Sequence, residues 1–295
     1  MGDNGALALA PVVIGVAIGA SALTLLAFWA YEQRFDPKRR WPAAALAGAG
    51  AVLYGFWVWG ALVAPRIVSF AERTIVSDAW TGPDLTVAVL AAPQFGPGGL
   101  DTEGVQRLIT RLNAEDPDLV VVMGDLTAPN LAQASMEDRF AVTLSLGALA
   151  RLEADLGVVA VLGPGDAAYG RETLSRDLED AGVALLWNRS VVVERTGAPF
   201  AIAGWAPGVG VDAQSARDAA PAGIPVIAVG VEPENLEGDH AAALTLLSSP
   251  RCAGFFGCPR PDGVEGPWMG TAGLQGGGLK PPTILVLTLR AGNPS

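Results

Sequence analysis

Two carboxylates stand where a layered α/β protein places its chemistry. Asp125 directly follows the apolar run 119–124, and Asp166 follows the run 158–162 after a glycine-rich turn. In such folds, sites lie on loops beyond the carboxyl ends of strands. The two side chains could therefore bind a metal ion, or they could hold the loops together by accepting hydrogen bonds from backbone amides. We expect the structural role.

The single histidine and the two cysteines exclude several kinds of site. One imidazole, His240, cannot serve a His-rich zinc site or a mechanism that needs two imidazoles. Cys252 and Cys258 cannot supply a four-cysteine zinc site. A disulfide between them and two buried free thiols fit the sequence equally well. No serine or cysteine nucleophile has a visible histidine partner.

Alternating strand-like and helix-like segments position these loops. The patterns predict strands at 85–92, 119–124, 158–162, 183–187, 190–194, 200–204, 224–231 and 283–289. They predict helices at 102–115, where Asp101 is the N-cap, and at 132–156, 171–181 and 240–247. Continuous apolar strands that alternate with helices indicate a layered α/β fold.

Two long uncharged stretches precede this α/β region. Residues 6–31 and 41–65 each exceed the ~20 residues that a helix needs to cross a bilayer. The charged loop 32–40 joins them, so we predict a transmembrane helical hairpin. A cleaved signal peptide is the alternative for the first stretch, but the acidic start Met-Gly-Asp-Asn-Gly lacks the basic region of such a peptide.

Basic residues and glycines give the orientation and packing of this hairpin. The loop holds four basic residues and the N-terminal tail holds none, so the positive-inside rule places the loop in the cytoplasm and the following domain outside it. Gly15 and Gly19 form a small-xxx-small face in the first stretch. That face could pack on the second stretch or on other membrane subunits, and we favour the first.

Composition and charge agree with an anchored globular domain. The chain has 295 residues, of which 51% are hydrophobic and 17% charged, so disorder is excluded. The net charge is −11, and −12 after Pro65, which argues against a nucleic-acid partner. We divide the chain into the hairpin 1–65, a linker 66–83 with a short leading strand, and an extrinsic domain 84–295.

Three segments of the α/β region, residues 116–125, 157–163 and 178–205, resemble in their order parts of the calcineurin-like metallophosphoesterases, in particular their membrane-anchored bacterial branch. Residues 116–125, Asp-Pro-Asp-Leu-Val-Val-Val-Met-Gly-Asp, are similar to the strand that ends in the family's Gly-Asp motif. Residues 157–163 resemble the strand before its Gly-Asn-His-Asp motif, and 178–205 resemble the segment that follows. The resemblance covers about 85–289. It implies a metallophosphoesterase-like α/β sandwich in a bacterial inner membrane, with the domain on the periplasmic side.

The residues that this resemblance assigns to metal binding and catalysis are mostly replaced. Asp125 and Asp166 remain, whereas the other ligand and acid positions read Ala92, Gln94, Pro164, Gly165, Val231, Cys258 and Arg260. Two bridged metal ions need about six to eight oxygen or nitrogen ligands, and one carboxylate ligand cannot hold them. We therefore expect no catalytic residues, no metal and no cofactor.

We expect a domain without catalytic residues to act through what it contacts. We predict a non-catalytic accessory or scaffold subunit, whose partners are integral-membrane subunits and the lipid bilayer. The alternatives are a phosphoesterase with a remodelled site and an anion- or ligand-binding module. Candidate contact aromatics are Trp80, Trp187, Trp205 and Trp268, although Trp187 and Trp205 flank predicted strands and could equally belong to the core.

Overall fold

A computed structural model gives the fold of two units, the first ending at Ile67 and the second beginning at Val68. It describes residues 4–60, 68–96, 99–128, 131, 134–205, 213–231, 242–249, 252, 258, 266–271, 273–275 and 283–292. His240, Arg260 and residues 61–67 lie outside the described residues. The two units are described separately.

The first unit is a helical hairpin. Helix α1 spans Asn4–Glu32 and helix α2 spans Arg40–Val58, joined by a 3-10 turn and a short loop. Both are long and apolar enough to cross a membrane, and the most apolar window is 0% buried in α1 and 6% buried in α2. Helices from the core of a soluble protein would be mostly buried, so this exposure favours lipid contact.

Glycines of α1 allow the two helices to pack closely. A side chain at Gly19 would collide with the ring of Tyr54, and one at Gly15 would meet Trp57. The Tyr54 hydroxyl donates a hydrogen bond to the Val16 carbonyl, 2.8 Å away, across the same contact. The small residues of α1 thus pack against α2, which is the interpretation that we favoured from the sequence.

The second unit contains a six-stranded sheet. Its strands are Ser69–Ser77 (β1), Leu85–Ala91 (β2), Leu119–Met123 (β3), Val158–Val161 (β4), Ala184–Leu185 (β5) and Thr283–Ala291 (β11). They are arranged in the order β1-β11-β2-β3-β4-β5. Strands β2, β3, β4 and β5 are parallel, β11 is antiparallel to β2, and β1 pairs with β11 in parallel.

A second, five-stranded sheet packs against the first. Its strands are Arg189–Val193 (β6), Phe200–Trp205 (β7), Val226–Val231 (β8), Leu244–Ser248 (β9) and Trp268–Thr271 (β10). They are arranged in the order β10-β9-β8-β7-β6 and are parallel except for the antiparallel pair β6 and β7. Side chains from both sheets share one buried core, which defines a sandwich.

Helices connect the parallel strands of the first sheet. They are α3 (Thr102–Asn113), α4 (Met136–Ala148) and α5 (Arg171–Asp180), and a short α6 (Ala213–Asp218) follows β7. Asp101 caps α3 through a 2.7 Å hydrogen bond from the Gly104 amide, as predicted. The predicted architecture of two apolar helices followed by a layered α/β sandwich is confirmed.

Four details of the sequence interpretation need correction. The predicted helix 240–247 is wrong, because 244–248 form strand β9 beside β8. The predicted helix 132–156 is shortened to α4 and one 3-10 turn. The strand in the predicted linker 66–83 is nine residues long and belongs to the sheet. Trp80 and Trp205 are core side chains, not contact aromatics, because each is about 1% exposed.

Candidate functional site

The loops after β2, β3 and β4 meet at one edge of the first sheet. Backbone hydrogen bonds extend the parallel pairing past the strand ends: the Ala92 amide donates to the Met123 carbonyl at 2.8 Å, and the Gly124 amide donates to the Val161 carbonyl at 2.7 Å. The Gln94 amide donates to the Asp125 carbonyl at 3.0 Å. The structure therefore brings the predicted site positions on these three loops together.

The backbone at this edge is strained. Ala92, Gln94 and Asp125 have φ angles of +46°, +48° and +39°, in a region that side chains other than glycine rarely adopt. Each such residue costs about 1–3 kcal/mol, which the surrounding structure must offset. Residues with such unusual φ angles cluster at active sites, ligand-binding clamps and switch regions of proteins. The loops thus keep an unusual geometry, although Ala92 offers only a methyl group.

Asp166 is the most completely hydrogen-bonded side chain of this edge. It is 1% exposed and accepts hydrogen bonds from the amides of Gly163, Leu126 and Thr127 and from the Thr127 hydroxyl, at 2.8–3.2 Å. Burial raises the pKa of Asp166, and these hydrogen bonds, led by that of Gly163, oppose the rise. Its observed contacts tie the β3 loop to the β4 loop.

Asp125 makes a similar contact between loops. One of its carboxylate oxygens accepts a hydrogen bond from the Gly165 amide, 2.7 Å away. Gly163 lies so close that a side chain there would collide with the backbone of Asp125. Both carboxylates singled out in the sequence therefore bond to backbone amides, which is the role that we expected for them.

Two further described positions that the resemblance assigns to metal ligands, Val231 and Cys258, hold groups that do not bind a metal ion. Val231, at the end of β8, is buried, and its methyl groups occupy the space beside Gly124. Cys258 forms a disulfide with Cys252, which decides between the two alternatives left open by the sequence. A disulfide sulfur is not the thiolate that metals prefer. Among the described residues, no group of three or more His, Cys, Asp or Glu side chains could hold a metal ion.

A cavity of about 740 Å³ opens beside Asp166, between the β4 loop and the start of α5. Its lining includes Pro164, Arg171 and Trp187. The Arg171 guanidinium lies over the Trp187 ring, 3.8 Å from its centre.

Sequence reasoning missed Arg171 and also Thr127. A threonine two residues after a Gly-Asp motif is a weak signal, because its partner Asp166 lies 39 residues away.

The sequence matches no protein-family model and no curated protein. Among solved structures, the chain is similar to an NAD nucleotidase from Haemophilus influenzae (TM-score 0.40, 13% identity, covering 57% of this chain and 38% of that chain). It is also similar to a 5'-nucleotidase precursor from Thermus thermophilus (TM-score 0.42, 14% identity, covering 69% and 48%). The chain spans less than half the length of either neighbour. Likeness at this level assigns no family and no activity.

Proposed function

We propose that this chain is a non-catalytic accessory or scaffold subunit of a larger integral-membrane complex, anchored by the α1–α2 hairpin. The observation that carries the proposal is the site edge itself. Its loops are held in a strained geometry, yet Ala92 offers no ligand atom and the methyl groups of Val231 fill the space beside Gly124. A metallophosphoesterase needs ligands for two metal ions at this edge. We therefore infer that the function of this chain lies elsewhere on the molecule.

The same proposal places the second unit on the periplasmic side of a bacterial inner membrane. The basic loop of the hairpin supports this orientation through the positive-inside rule. The disulfide between Cys252 and Cys258 supports it independently, because disulfides persist in oxidising compartments.

The experiment is a native mass measurement on the full chain, extracted from its own membrane with a gentle detergent. We expect a particle much heavier than one 30.2 kDa chain in its micelle, with other membrane proteins in fixed stoichiometry. Deleting residues 1–65 should release the domain from the membrane and from most of this particle. A lone chain in every gentle detergent would contradict the proposal.

The cavity beside Asp166 favours a second candidate, a module that binds a small anion. Arg171 supplies a positive charge at its rim, and Trp187 supplies an aromatic face. Titration with inorganic phosphate, followed by intrinsic tryptophan fluorescence in the wild type and in Trp187→Phe, isolates the signal of Trp187 and tests it. Saturable quenching that is lost in Arg171→Gln and kept in Arg176→Gln would support this candidate.

A further inference from the structure

The outer face of α4 carries a stripe of large apolar side chains. Met136, Phe140 and Leu144 are 81%, 63% and 47% exposed, and their spacing of four residues places them on one side of the helix. Gly147 continues the stripe, with open space where its side chain would be. We call these four residues the α4 outer face.

This face stands out from the rest of the domain. Among the described residues from 68 to 292, five large apolar side chains are strongly exposed, and three of them belong to the α4 outer face. The other two, Val76 and Val192, are isolated on strands at the edges of the two sheets. Single exposed apolar residues are ordinary, but a contiguous group on one helix marks an interaction surface.

The helix that presents this face is firmly held. Ser135 and Asp138 form a capping box at its start. The Thr143 hydroxyl bonds to the hydroxyl of Tyr169, 2.8 Å away, and Tyr169 donates to Asp177 of α5. Val142 and Leu146 are buried on the opposite side. A partner therefore meets a preorganised surface and need not order it.

Charge decides which occupant fits. Glu137 and Asp138 lie with Arg139 at one end of the face. The exposed Glu153 and Asp155 follow its other end with Arg151, so each end carries one more carboxylate than basic groups. The chain after Pro65 has a net charge of −12. A second copy would bring two strongly negative bodies together, and an anionic lipid surface would repel this helix, since membrane-surface helices are rich in lysine and arginine.

We infer that the α4 outer face docks on another protein of the complex, through a surface that is apolar at its centre and carries lysine or arginine at its rim. This inference rests on the proposed function and names the contact by which it is carried out. The apolar side chains supply the buried centre, and the acidic ends steer and orient the basic partner.

The test uses the full chain in its own membrane. Phe140→Glu and Leu144→Glu place a charge in the centre of the face, and Val192→Glu is the matched control on an exposed apolar position of β6. The readout is the amount of each partner protein that copurifies per chain. We expect a loss of binding of about 30-fold for either face variant, as for a central hot-spot residue, and no loss for the control.

A photo-crosslinking amino acid at Phe140, compared with the same residue at Val192, identifies the occupant. A covalent product with a different protein at 140 alone supports the inference. A product of twice the chain mass, which would be a second copy, overturns it, and so does labelling of lipid alone. If the wild-type chain is in a complex and both face variants stay in it, the inference fails while the proposed function stands. If the wild-type chain is alone, the proposed function fails, and the inference that rests on it fails with it.

Discussion

The carboxylates at the site edge of the first sheet are hydrogen-bonded within the chain, whereas the apolar side chains of the α4 outer face are exposed to solvent. At the edge, Asp166 accepts four hydrogen bonds from its own chain, and Asp125 accepts one from Gly165. On the helix, Met136, Phe140 and Leu144 expose most or nearly half of their surface to solvent. Polar groups that are already bonded have little to offer a ligand, whereas exposed apolar surface gains free energy when a partner covers it.

We therefore expect the edge to contribute to the free energy of folding and the α4 outer face to contribute to the free energy of association. Ala92 has a left-handed backbone although its side chain is only a methyl group. A strained backbone alone is thus a poor guide to activity in this fold, and the side chains must be considered with it.

Removing Asp166 should give the largest effect. In Asp166→Ala, three backbone amides and a hydroxyl lose their acceptor inside the protein. Each unsatisfied buried donor costs about 1–3 kcal/mol, so we expect at least about 3 kcal/mol of lost stability. For a domain of this size, that corresponds to a fall of roughly 6–12 °C in melting temperature. Thermal unfolding of the full chain in detergent, followed by near-UV circular dichroism, measures it.

The matched control for this change lies on the other region. Phe140→Ser removes a large but exposed side chain, so the melting temperature should shift by no more than about 1–2 °C. If Asp166→Ala melts like the wild type, or Phe140→Ser melts as low as Asp166→Ala, the division between a stabilising edge and an associating face is wrong.

The pH dependence of stability should distinguish Asp166 from an exposed carboxylate. Burial raises the pKa of Asp166, so its contribution to stability is complete below the unfolded value of 3.8 and declines as the pH rises through its folded-state pKa. A hydrogen bond from Arg290 lowers the pKa of Asp84, so its contribution is present above 3.8 and is lost as the pH falls through its folded-state pKa.

The asparagine variants of Asp166 and Asp84 make these opposite pH dependences of stability measurable. From pH 3 to 7, the melting-temperature difference between wild type and Asp166→Asn should shrink, and the difference between wild type and Asp84→Asn should grow. Slopes of the same sign for both variants would show that Asp166 is not a desolvated carboxylate.

Local signals predicted most of the first sheet, while long-range pairings escaped. Asp101 and the apolar spacing of α3 were sufficient to predict that helix and its cap, because both signals lie within one segment. The run 244–248 is rich in leucine and equally suits helix or strand, and pairing with β8 decides it. β1 pairs with a strand more than 200 residues away, which no local pattern reveals.

The candidate site shows the same limit. Sequence identified Asp125 and Asp166 as loop residues, but it could not give the Leu126 and Thr127 amides, which bind Asp166 from about 40 residues away. The spacing of Met136, Phe140 and Leu144 is visible in the sequence, and it is equally typical of a buried helix face. Only the packing of α4 between its neighbours shows that this side is the exposed one.

The smallest effect concerns the strained backbone of the edge. Ala92 is buried with φ +46°, and Ala91 is buried in the regular strand β2 immediately before it. In both Ala→Gly variants, a buried methyl group is lost, at about 0.8 kcal/mol, and the unfolded chain gains freedom worth about 0.4–1 kcal/mol. At position 92, glycine also relieves a left-handed conformation that costs an alanine about 1–2 kcal/mol.

These contributions nearly cancel at position 92 and add at position 91. We expect Ala92→Gly to lie within about 0.5 kcal/mol of the wild type and Ala91→Gly to be destabilised by about 1.5 kcal/mol. The melting temperatures of the two variants in detergent should differ by roughly 3–6 °C. Equal losses at both positions would mean that the left-handed backbone at residue 92 stores no strain. The edge would then differ from the rest of the sheet only in its side chains.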